Sequence, residues 1–367
     1  MKKCAALVLL PLLIIVLSMP ASASTMEDVV ARQEGAVDVE GLERAARRNG
    51  GVVDYGIGLD EGLSELLETG TGELKGVFRR AVRSGVLLLS VLLLCGMADT
   101  MQKTCGKGKN PAIPLAGALA VTAVAAADVD SLLGLGRNAI DHMASFADVL
   151  LPTVAAVTAA TGAVTGAAVR QMAAVLFCDL LVNLINGLLV PLLYGFVALS
   201  VAYTATGNKG LERMSKLLKW IVTTVLTIVM LAFVSYLSLS GVVAGGADAV
   251  SVKAAKLAIS SAIPVVGGIL SDAAETVLAS AGILKGTIGV FGALTVLGIC
   301  LLPLLQMAVH YLVYKLVSAL SVSLGGDQLC ALVERIGSAF GLLMGMTGAC
   351  CLLLLIALVS SVSVVTV

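Results

Sequence analysis

Asp179, Asn183 and Asn186 sit inside one apolar run, 172–205, at spacings of four and then three. On a helix that spacing puts all three on one face. A carboxylate at membrane depth costs about 2.5–3.5 kcal/mol by insertion scales, so it should face the bundle or a wet cavity. Two kinds of chemistry fit such a face. One is a polar lining that binds an ion or proton. The other is inter-helix hydrogen bonding, worth about 0.6 kcal/mol per contact. Further along, Gln306 and His310 are i, i+4 neighbours, followed by Tyr314 and Lys315. His310 can serve as a proton carrier or as a structural hydrogen-bond donor. Lys315 has two outlets, pairing with Asp179 or snorkelling to the interface. Together these residues are the candidate intramembrane polar face.

The elements that must position them are apolar helices. Of 367 residues, 58% are hydrophobic and 13% charged, and the mean hydropathy is +1.02. Soluble domains carry about 25% charged residues, so this much apolar surface has to face lipid. The expected fold is all-α, a polytopic transmembrane helical bundle of about six to eight spans. Aromatics make up only 4%, and 39 glycines suit helices packed closely through small residues. The net charge is zero, which gives no reason to expect nucleic acid as a partner. Nothing points to a cofactor. Cys95, Cys178, Cys300, Cys350 and Cys351 lie in apolar segments as small hydrophobes, without zinc-ligand spacing. No phosphate-binding loop, HExxH or nucleophile elbow is present, so an enzyme is not expected.

Along the chain, 1–23 reads as a signal peptide, with Lys2 and Lys3, an apolar core and a small-residue site at Ala21-Ser22-Ala23. Residues 24–83 form an extracytoplasmic segment with two amphipathic stretches, 37–48 and 59–83, the second interrupted at Gly70-Thr71-Gly72. Residues 84–127 hold two spans around a loop with Lys103, Lys107 and Lys109, which reads as cytoplasmic. The stretch 128–148, with Asp128, Asp130, Asp141 and Asp148, is expected as an external loop. The loop 206–219, with Lys209, Arg213, Lys216 and Lys219, again reads as cytoplasmic.

Prolines suggest a duplication. Pro152 and Pro191 are separated by the same interval as Pro264 and Pro303, and LLVPLL (188–193) matches CLLPLL (300–305). The expectation is two internal repeats, 146–240 and 257–366, each with helices broken at proline. Such duplications with broken helices occur in secondary transporters, and a permease with a midplane polar site is the alternative reading.

The segment IPVVGGILSDAAETVLASAGILKGTIGVFG (263–292), with LLPLLQMAVHYLVYKLVSAL (301–320) and VDVEGLERA (37–45), resembles the stage III sporulation protein AE family of endospore-forming bacteria. The resemblance covers nearly all of the chain after the signal peptide and is strongest over 250–320. It implies a membrane component of the multi-protein channel complex between mother cell and engulfed forespore, needed for late forespore gene expression. The implied site is the mother-cell-derived membrane around the forespore, with the N-terminal segment outside the cytoplasm. The implied partners are other membrane proteins of the same sporulation operon and a forespore membrane protein. The family offers no catalytic residues to carry over.

Overall fold

The computed structural model describes residues 39–104, 112–160, 164–239, 287–321 and 327–362. The expected signal peptide and all of 240–286, with the Pro264 segment, lie outside the described residues. A short helix, α1 (Val39–Arg48), is followed by α2 (Leu59–Thr104) and α3 (Ala112–Ala160). Then come α4 (Val164–Leu184), one π-helical turn (Ile185–Leu189) and α5 (Val190–Thr206). The last three are α6 (Lys209–Leu239), α7 (Thr287–Ser321) and α8 (Asp327–Val362). Counting α4 to α5 as one rod, six helices among the described residues are long and apolar enough to cross a membrane. The protein is thus an all-α polytopic bundle.

The rods form three hairpins. Gly117 of α3 meets Cys95 of α2, and Ser84 of α2 bonds Asp128 of α3, so α2 and α3 are antiparallel. Ser200 and Ser215 share a hydrogen bond, and Phe177 packs on Phe233, which closes α4–α5 against α6. Ser318 donates to the carbonyl of Cys330, and Cys300 lies beside Cys351, which closes α7 against α8. Gly62 faces Leu294 and Gly85 faces Val313, so α2 and α7 run parallel and all three hairpin tips share one end of the bundle. Gly207 turns the chain from α5 into α6 with φ +69°, a conformation that costs glycine little. An ion pair ties two tips together: Arg335 lies 3.5 Å from Glu212, which also binds Lys216 at 2.6 Å.

Helix α8 is the core. Of its apolar stretch 89% is buried inside the bundle, against 28% for that of α2. Close approach depends on missing side chains. A Cβ on Gly117 would sit 2.5 Å from a methyl of Leu329 and 3.0 Å from the Cys95 sulfur. Gly117→Ile should therefore destabilise the bundle by about 1–3 kcal/mol through overpacking. A thermal melt in detergent reads this, and an unchanged midpoint would mean that α3 and α8 do not touch there.

Four expectations need correction. Residues 128–148 are not a loop but the middle of α3, because Leu132, Leu133, Ile140, Met143 and Phe146 recur at helical spacing and are all buried. The boundary drawn between 84–127 and 146–240 therefore falls within one helix. Gly70-Thr71-Gly72 does not interrupt α2; Gly70 lets α2 approach Leu301 and Leu305 of α7. Pro152 and Pro303 do not break their helices, which continue through them. At Pro191 the rod widens into the π turn and continues, since a proline in the first turn of a helical segment needs no N–H partner. The long Pro191 rod and α7 thus differ at their prolines, and the two-repeat expectation has no support among the described residues.

Candidate functional site

The polar chemistry lies in two layers along α3. At the upper layer, Asp128 is 8% exposed and His310 4%. The Tyr314 hydroxyl donates to Asp128 Oδ2 at 2.8 Å, and Ser84 Oγ donates to Oδ1 at 3.2 Å. His310 Nε2 stands 4.0 Å from Oδ1. Its Nδ1–H donates to the carbonyl of Gln306 at 2.8 Å, one turn back on α7, which fixes the ring. Phe340 of α8 closes the layer, edge-on to Tyr314 at 5.0 Å and to His310 at 6.3 Å between centroids. One carboxylate thus gathers α2, α3 and α7 at one level, with an imidazole beside it. That arrangement can tie three helices together through hydrogen bonds to one buried carboxyl group.

At the lower layer, the Asn186 side-chain amide donates to Asp141 Oδ1 at 2.6 Å. Cys300 and Cys351 have their sulfurs 2.9 Å apart, and Cys178 and Cys350 are buried free thiols in the same apolar core. Asp128 and Asp141 are thirteen residues apart on α3 by their numbers, or about 20 Å along the helix. The expected single polar face is therefore two sites. Gln306 and His310 belong to the upper one and Asn186 to the lower. Asp179 and Asn183 belong to neither, because both are exposed on the outside of α4. Lys315 pairs with Glu334 at 2.6 Å, not with Asp179.

Asp128, the centre of the upper site, was expected in an external loop. A usable signal was there: Val121, Ala125, Asp128 and Leu132 follow i, i+4, i+7 and i+11, so Asp128 stands in the register of a buried stripe. Among the described residues no three His, Cys, Asp or Glu side chains converge as metal ligands.

Comparison with known proteins supplies the family. The family model described as stage III sporulation protein AE matches residues 60–364. The stage III sporulation protein AE of Bacillus subtilis (strain 168) is 26% identical over 207 residues, covering 56% of this chain and 52% of that protein. The match thus spans about half the length of the curated relative. No solved structure matches the chain. With the family model covering α2 through α8, the chain belongs to the stage III sporulation protein AE family.

Proposed function

We propose that this protein is a membrane component of the channel complex between mother cell and forespore, required for late forespore gene expression. The observation that carries the reading is family membership across the whole six-rod bundle. The hairpin tips add to it. Lys209, Arg213, Lys216 and Lys219 begin α6, and Lys103 ends α2, on the end that all three tips share. An excess of Lys and Arg favours the cytoplasmic side, which leaves α1 and the start of α2 on the outer side, where a forespore partner can be reached. The bundle sits in the mother-cell-derived membrane around the forespore and acts with other membrane proteins of the same operon. The protein acts as an assembly and conduction component, not as an enzyme.

The alternative of a self-sufficient permease rested on the proline-broken repeats, which have no support among the described residues, and on Asp179 as part of a midplane polar site. Asp179 lies on the outer surface of α4, so that support is gone. In-frame deletion of the gene in its host is expected to let engulfment finish while a late forespore-specific reporter stays dark. Normal sporulation and a lit reporter would refute the reading.

A further inference from the structure

One flank of the bundle exposes ionisable side chains beside apolar ones such as Leu67 and Leu176, and its Asp179 lies at a depth where a neighbouring helix exposes leucine. Phe177 of α4 packs against Phe233 and Tyr236 of α6 at centroid distances of 5.2 and 6.0 Å. This contact puts Asp179 level with Leu231. At that level α6 turns Leu231 outward, 50% exposed, between Trp220, which suits a membrane interface, and the end of the helix. On the other flank α4 turns Asp179 and Asn183 outward. Next to it α3 turns out Arg137 and His142, and beyond α3, α2 turns out Glu68 and Glu73. The helices are neighbours in that order, joined by the Asn186–Asp141 and Ser84–Asp128 bonds.

Ionisable side chains gathered on three adjacent helices do not face acyl chains, because each is unfavourable there. A dry protein interface is also a poor cover. Interface cores are depleted in charge and enriched in aromatic anchors, whereas this flank carries both signs of charge. We infer that the outer flank of α2, α3 and α4 is the wall of a water-filled path through the membrane, whose far side is completed by other subunits. This inference rests on the channel reading and deepens it by assigning the wall to particular helices. The path lies outside the six-rod bundle, since α8 fills its middle.

The test is labelling by a membrane-impermeant maleimide in sporulating cells that make the full chain and its partners. Ser145→Cys and Asn183→Cys sit one turn beyond the Asp141–Asn186 bond, both on exposed positions of the flank. Leu231→Cys is the comparison at equal depth, and the parent chain with its own cysteines gives the background. The expected result is labelling of the first two at least tenfold above both background and Leu231→Cys. If Ser145→Cys and Asn183→Cys stay at background, the flank is covered by lipid or protein and the inference fails. If all three label alike, this part of the bundle is outside the bilayer and the inference also fails. Neither readout uses the reporter. A dry flank with a dark deletion reporter overturns the wall and leaves the channel reading, and a lit reporter overturns the channel reading whatever the labelling gives.

Discussion

Phe340→Ala is expected to destabilise the bundle by about 4 kcal/mol, within the usual cost of removing a buried phenyl ring. Phe340 is 1% exposed, on the most buried of the long helices, and it packs edge-on against both Tyr314 and His310. Its loss opens a cavity beside the Tyr314 ring, whose hydroxyl bonds Asp128. The measurement is the thermal midpoint of the purified protein in detergent, with protein level in the host as a second readout. Phe340→Leu keeps most of the volume and should lose roughly a third as much, by the milder cost of volume-conserving swaps. Equal losses for both variants would mean that ring contact with Tyr314 and His310, not volume, sets the stability of this layer.

The second large effect is at Asp128. Asp128→Ala leaves Tyr314 and Ser84 without an acceptor and His310 without its neighbouring carboxylate. At about 0.6 kcal/mol for each inter-helix bond in a membrane, plus the penalty for leaving a buried donor unpaired, the loss should be about 2–3 kcal/mol. Asp128→Asn retains an oxygen for the Tyr314 hydroxyl and should lose about 1 kcal/mol. Both are read by the same thermal midpoint. If Asn is as damaging as Ala, the negative charge beside His310 holds the layer. If Asn is silent, hydrogen bonding does. A spore yield that falls with Asp128→Asn while the midpoint and protein level hold would assign the pair a role in function beyond tying helices.

How much of this was legible in the sequence follows from what each signal averages. The apolar run 172–205 falls within one long helical rod, as do the described apolar stretches of α2, α6, α7 and α8, because unbroken hydrophobicity is insensitive to neighbours. The stretch 128–148 failed for the same reason in reverse. Its four aspartates lower the average, yet Asp130 and Asp148 point outward while Leu132, Ile140 and Phe146 between them are buried. A hydropathy average sees composition, and helical register decides placement. Pro152, Pro303 and Gly70-Thr71-Gly72 were read as local breaks, and packing against neighbouring helices outweighed local preference. His310 stood out as a lone imidazole in an apolar run, but its carboxylate neighbour could not. Tyr314 and Asp128 are 186 residues apart in the chain, and no local pattern links them. Asp179 stood out too, but which way a helix turns its polar face depends on neighbours that its own sequence does not name.

The burial of α8 has a consequence for biogenesis. Helices enter the membrane in the order of synthesis, and α8 follows the other five rods. Until it arrives, those five flank a centre that has no occupant, and Leu150 of α3, which packs near Leu358, has no α8 partner. The early rods must therefore wait in the bilayer as separate, loosely associated helices, with lipid standing in for the missing core. Assembly of this bundle is then a late event in its own translation, and a ribosome that stalls before Asp327 leaves a fully inserted but unfinished protein for membrane proteases to find.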